Sequence, residues 1–176
     1  MRLPLITAAL VVANVGAFAL ELAGGVEPTC EAYGVTPNHL ATGSILTGMF
    51  LHAGKFHLFW NMFLLIPFGT VVESKLGHLH FALLYLVSGI GAALMHVLVD
   101  SSSTDALVGA SGSIFGVLAA AAMLFPRLVG FVCTYAAIEI GCLFLNHGSQ
   151  ISSSCHVGGF ATGFVAMLLF RPTEKT

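Results

Sequence analysis

Leu107-Val108-Gly109-Ala110-Ser111-Gly112-Ser113-Ile114-Phe115-Gly116 opens an apolar run, Leu107 to Phe125, that carries no charge. A serine flanked by small residues at the head of such a run is compatible with plain helix packing, because small and hydroxyl residues are common where membrane helices touch. Two other features change its weight. His156 opens the last apolar run of the chain, and His57 with Asn61 opens an earlier one. Together they point to Ser111 as a nucleophile and His156 as its base, both held inside a lipid bilayer.

Composition agrees with that setting. The 176 residues are 57% hydrophobic and only 8% charged, with a mean hydropathy of +0.94. Soluble domains carry about 25% charged residues, so an ordinary water-facing surface is excluded, and so is disorder. The formal net charge of −2 comes with no Lys/Arg cluster, which argues against nucleic acid as a partner. Cys30, Cys133, Cys142 and Cys155 show no CxxC spacing, so no disulfide is expected. No H-E-x-x-H occurs, so no metal is expected, and nothing calls for a cofactor. A single polytopic membrane domain, residues 1–176, is the expected organisation, with no second, soluble segment.

Crossing the hydrocarbon takes about 20 apolar residues in a helix. Six runs approach that length: Leu3–Leu22, Phe56–Val72, Leu79–Val99, Leu107–Phe125, Leu128–Leu145 and Ile151–Phe170. They predict an all-α bundle of six transmembrane helices. Short breakers separate them: Glu73-Ser74-Lys75 with Gly77, Asp100 to Asp105, Pro126-Arg127, and Asn146 to Gln150. The one long connection, about Ala23 to Lys55, holds Pro28 and Pro37 and a half-apolar piece (Ile45, Leu46, Met49, Phe50, Leu51) suited to a short interfacial helix. Arg2 ahead of an apolar core, with Ala17-Phe18-Ala19, also resembles a cleaved signal peptide. Continuation of that run to spanning length favours a retained span.

With the N-terminus inside, Arg2, Lys75, Arg127, Arg171 and Lys175 fall on the cytoplasmic side and Lys55 outside. That is a positive-inside pattern. It predicts a multi-pass protein of the cell (inner) membrane with both termini cytoplasmic and the long loop outside. Spans two, four and six then start at the outer face. His57, Asn61, Ser111 and His156 share a depth of roughly 2–9 Å below it, at about 1.5 Å of rise per residue.

The helices that must meet are built to meet. Gly112 and Gly116 follow Ser111 four apart, and Gly159 and Gly163 follow His156 four apart; that spacing lets two backbones approach closely. The chemistry follows from residue type. A serine hydroxyl needs a base to become nucleophilic, and neutral imidazole is the usual one at pH 7. The developing oxyanion needs donors placed in advance: His57 and Asn61, four apart on one helix face, and the Ser111 backbone N–H at a helix start. His52, ahead of span two, is placed to orient the loop above. The hydroxyl-rich stretches Ser101–Thr104 and Ser152–Ser154 fit either a wet rim or ordinary loops. Glu139, a carboxylate within span five, fits either a group that tunes His156 or a protonated acid bonded to a neighbouring helix. His78 and His80 read as interfacial, His39 and His147 as loop or rim residues, and His96 as a packed histidine.

Over nearly its full length the chain resembles the rhomboid intramembrane serine proteases. The matching motifs are His52 with His57-Leu58-Phe59-Trp60-Asn61, Gly109-Ala110-Ser111-Gly112, and His156 followed by Gly159 and Gly163. The resemblance implies a minimal six-span bacterial-type core with a Ser111–His156 dyad that lacks a carboxylate third member. It implies an oxyanion and substrate-binding group of His57, Asn61 and Gly109, supported by His52, Gly112, Phe115, Gly159 and Gly163. The implied substrates are single-span membrane proteins cut at or near the outer face. Three positions depart from the family pattern: Gly43-Ser44 stands where a Trp-Arg pair is frequent, Phe115 where a tyrosine is frequent, and Cys155 where alanine is frequent. Phe115 can still stack on His156 but lacks the tyrosine hydroxyl. Two rival readings weigh less. A non-cleaving relative that only holds membrane clients would be expected to lack the serine or the histidine, and a small proton-relaying transporter often shows an internal repeat that this chain does not.

Overall fold

The computed structural model describes residues 4–145 and 153–170, with side chains for 4–138 and 153–170. Arg2, the Glu139 and Cys142 side chains, the 146–150 connection with His147, and Arg171 and Lys175 lie outside the described residues. Among the described residues there are eight α-helices: α1 (Leu5–Gly24), α2 (Val26–Tyr33), α3 (Ser44–Gly48), α4 (Lys55–Leu76), α5 (His78–Val99), α6 (Ser111–Leu124), α7 (Val129–Leu145) and α8 (Ser153–Leu169). A single 3-10 turn, Pro126–Leu128, joins α6 to α7.

The chain is an all-α, polytopic membrane protein. α1, α4 and α5 are each long and apolar enough to cross a bilayer, and α6 and α8 are shorter apolar helices. Polarity is arranged as lipid demands. Leu20, Phe56 and Leu98 are among the large apolar side chains turned outward, while Asn14, Glu21, Glu73, Ser88 and Ser113 are buried within the bundle. Uncompensated polar groups in hydrocarbon are costly, so they gather where protein partners exist.

α6 is the axis of the bundle. It packs against α4, α5, α7 and α8, and every residue from Gly112 to Ala121 is buried. Its small residues allow this: Gly112, Gly116 and Ala119 to Ala122 leave room for neighbours on all sides. The helix starts later than the apolar run predicts. Leu107–Ala110 is not helical: Leu107 exchanges both main-chain hydrogen bonds with Val35 (2.9 and 3.0 Å), and Gly109 donates to the Gly48 carbonyl at 2.8 Å. Gly109 has φ +125°, a conformation that side-chain-bearing residues avoid. The fourteen helical residues of α6 rise only about 21 Å, short of the ~30 Å hydrocarbon thickness.

The long connection contains two helices. α3 falls within the half-apolar piece but ends at Gly48 instead of reaching Leu51. α2 was not expected, because Pro28 reads as a breaker. Pro28 sits in the first turn of α2, where an N–H has no intrahelical partner and its loss costs nothing.

Glu73-Ser74-Lys75 reads as a separator yet continues α4 to Leu76. Glu73 turns inward, where its carboxylate accepts the Ile6 N–H (2.9 Å), the Thr7 N–H (2.8 Å) and the Thr7 hydroxyl (2.6 Å). His78 Nδ1 lies 2.6 Å from its Oε1. One anion thus caps the first turn of α1 and ties it to α4 and α5, in the location a helix N-terminus favours for negative charge. Glu73→Leu strands two N–H groups and a hydroxyl. A loss of roughly 2–4 kcal/mol is expected, visible as a lower Tm in detergent, with Glu73→Gln intermediate.

Candidate active site

Ser111 is the first residue of α6, and Ala110 before it offers no side-chain cap. The first-turn N–H groups therefore have no acceptor within their own helix. His156 lies in the first turn of α8 and is buried. What brings the two helix starts together is missing side chains. A Cβ on Gly159 would collide with the Gly112 carbonyl, and one on Gly163 would lie 2.6 Å from the Gly116 carbonyl oxygen. With backbones in contact at those two levels, the serine before Gly112 faces the histidine one turn before Gly159.

The His156 Nε2 to Ser111 Oγ distance is 2.9 Å. With a neutral imidazole protonated on Nδ1, this contact lets the hydroxyl donate to Nε2. Phe115, one turn after Ser111, stacks on the imidazole with centroids 4.3 Å apart and planes 8° from parallel. A ring held flat in this way keeps the in-plane lone pair of Nε2 aimed at the hydroxyl.

His57 enters from the first turn of α4. Its Nδ1 accepts the Ala53 N–H at 3.4 Å, which leaves the proton on Nε2. A Cβ on Gly109 would lie 2.8 Å from that Nε2 and 3.7 Å from Ser111 Oγ, so ring and hydroxyl flank one point and only glycine fits between them. Asn61, buried one turn further along α4, donates one amide N–H to the His57 carbonyl at 2.9 Å and keeps a second. Gly109 donates its N–H to the Gly48 carbonyl, and its lack of a side chain leaves open the space between His57 and Ser111.

His52 is fully buried. Its backbone N–H donates to both carboxylate oxygens of Glu21 on α1, at 3.0 and 3.2 Å. Its ring meets that of His57 edge-on, 5.1 Å between centroids. It thus props His57 from behind as well as anchoring the loop. Burial, followed by the neighbouring His57, lowers the His52 pKa to about 3, with weak backbone contact from Phe50 opposing. The unfolded chain takes up this proton near pH 6.5 and the folded one does not. Stability is therefore full above pH 6.5 and lost as pH falls toward 3, at up to about 1.4 kcal/mol per pH unit. In denaturation series from pH 7 to pH 4, His52→Gln should show a shallower slope than the wild type. Equal slopes would exclude His52 as the source.

Of the other predicted features, Ser101, Ser102 and Thr104 are exposed as a rim would be, whereas Ser153 and Ser154 are buried in the first turn of α8. His96 is buried, and His78 belongs to the Glu73 pair. Glu21 and Glu73 were missed as structural acids, although a carboxylate at or inside an apolar run was the available signal. Beside Ser111, a cavity of about 20 Å³ is lined in part by Met49, Gly89, Ala92, Ser113 and Cys155, room for one water. Among the described residues no three His, Cys, Asp or Glu side chains converge as metal ligands would.

Fold and site together define a polytopic helical membrane protein that carries a part-buried serine–histidine pair at the start of its central helix. The chain belongs to the rhomboid family: the Rhomboid domain model matches residues 41–173. It is similar to RHOMBOID-like protein 5 of Arabidopsis thaliana, 34% identical over 139 residues, covering 73% of this chain and 44% of that protein. It is similar also to Rhomboid protease GluP of Bacillus subtilis, 35% identical over 163 residues, covering 85% of this chain and 31% of that protein. A third relative, Inactive RHOMBOID-like protein 8 of Arabidopsis thaliana, is 32% identical over 145 residues, covering 78% and 41%. The chain spans less than half the length of these curated relatives.

Proposed function

We propose that this chain is an intramembrane serine endopeptidase, a single domain over residues 1–176, using Ser111 as nucleophile and His156 as base. The observation that carries this reading is the 2.9 Å contact between Ser111 Oγ and Nε2 of His156, a pairing in which a neutral imidazole serves as the base at pH 7. The Oγ proton passes to Nε2 as Oγ attacks the scissile carbonyl. The oxyanion is met by His57 Nε2–H, the second Asn61 N–H and the Ser111 main-chain N–H. Imidazolium then protonates the leaving amine, and a water beside Ser111 hydrolyses the acyl-enzyme with His156 again as base.

The substrates are single-span membrane proteins, cleaved at or near the outer face. Supporting this are the shortness of the serine-bearing helix α6, fourteen residues, and the basic residues Lys75 at the far end of α4 and Arg127 just beyond the far end of α6. The same charge pattern assigns both termini to the cytoplasmic side of the cell membrane. A relative designated inactive makes a non-cleaving role the rival reading; the formed serine–histidine contact favours cleavage.

The test is cleavage of a fluorogenic single-span substrate by purified protein in liposomes. His57→Ala or Asn61→Ala is expected to slow catalysis by about 10²–10³-fold, the scale of one oxyanion donor. A wild-type rate in either variant removes that residue from the role.

A further inference from the structure

The His156 ring is the end of a longer stack. Phe115 of α6 lies on it at 4.3 Å and 8°. Tyr135 of α7 lies on Phe115 at 5.4 Å and 23°. Phe131, one turn before Tyr135, is 6.3 Å away and 5° from parallel, and Phe68 of α4 stacks on Phe131 at 5.6 Å and 17°. Five rings on four helices are therefore nearly coplanar in orientation. The aromatic cluster at the start of α4 is mixed: Phe59–Trp60 and Trp60–Phe63 meet at 72° and 87°, and Phe59–Phe63 at 23°.

The stack has a mechanical consequence. Stacked rings slide easily but tilt only by opening a gap, and packed interiors resist gaps. The basic lone pair of Nε2 lies in the imidazole plane, so a tilt of that ring takes it off the Ser111 hydroxyl. Among the described residues α4 and α7 do not approach backbone to backbone; they touch through Phe68 and Phe131.

We propose that Tyr135 is a positioning residue for the base: through Phe115 it sets the plane of His156, and through Phe131 and Phe68 it ties that plane to the spacing of α4 and α7. This rests on the reading of Ser111 and His156 as a dyad. Tyr135 acts through its ring, which stacks on Phe115 and on Phe131.

The experiment uses the full chain in liposomes and reads two rates. One is turnover of the single-span substrate, resolved into kcat and KM. The other is acylation of Ser111 by a small fluorophosphonate, which needs the dyad but no passage of a helix. Tyr135→Leu is expected to lower kcat and the acylation rate together by about tenfold at unchanged KM, a fraction of the ~10²-fold that a full 1 Å misplacement costs. Tyr135→Phe is expected to restore both to within about twofold of wild type, since the stacking ring is kept. Should Tyr135→Leu lose its thermal transition, Phe131→Leu carries the test, with a fall of about two- to threefold in the same two rates. Acylation of Tyr135→Leu, or of Phe131→Leu as its substitute, at the wild-type rate overturns the proposal. So does an effect confined to KM, or a Tyr135→Phe variant as slow as Tyr135→Leu. Absence of acylation in the wild type itself is a different failure, because it removes the dyad on which the proposal stands.

Discussion

Ser111→Ala and His156→Ala each bring cleavage of a single-span substrate in liposomes to background, a fall on the order of 10⁴-fold or more. Ser111→Ala deletes one oxygen and leaves every helix contact in place, so its Tm should stay close to that of the wild type. His156→Ala leaves the hydroxyl without the acceptor now 2.9 Å away and exposes a face of Phe115 that the imidazole covers. It should lose activity and some stability together. The two losses should not add: with either partner gone the other has nothing to act with, and the double variant should be no slower than the singles. Substantial cleavage by either single variant would contradict the assigned roles.

Gly159→Ala is expected to cost both activity and stability, from one methyl group. The new Cβ would meet the Gly112 carbonyl, and backbone cannot step aside as a flexible side chain would. α8 must shift away from α6, at about 1–3 kcal/mol for overpacking. Ser111 adjoins Gly112 and His156 lies one turn before Gly159, so the same shift lengthens the contact between them. Displacement on the order of 1 Å costs about 10²-fold in rate. Gly159→Ala should therefore lose most of its kcat while remaining folded. Gly16→Ala on α1, where a Cβ meets nothing within 4 Å, should keep full activity. Equal behaviour of the two variants would mean that the α6–α8 contact does not set the site.

Much of the architecture was legible because the signals are local. Each of the six apolar runs matches one helix, three of them (α1, α4 and α5) long enough to cross a bilayer, and Gly112, Gly116, Gly159 and Gly163 announce close approach by spacing alone. Where the sequence misled, the deciding contact is distant. Leu107 reads as the start of a span, but Val35 and Gly48 hold its segment extended, and nothing near Leu107 reports a partner some 70 residues earlier in the chain. Glu73 looks like a loop residue until Thr7, on another helix, supplies its hydrogen bonds. Glu21 likewise has its partner at His52, 31 residues on. In the site, Ser111 and His156 stand out because each heads an apolar run directly before its glycines. Tyr135 could not stand out. It acts through rings on three other helices, and one aromatic residue in an apolar run looks like any other.

The most direct measurement is identification of the residue modified when the purified wild-type protein is treated with a fluorophosphonate, read by intact mass and peptide mapping. One adduct per chain, on Ser111, abolished in His156→Ala and unaffected by Gly16→Ala, is the predicted result. An adduct on any other residue, or a protein that cleaves its substrate while Ser111 stays unmodified, would contradict the account.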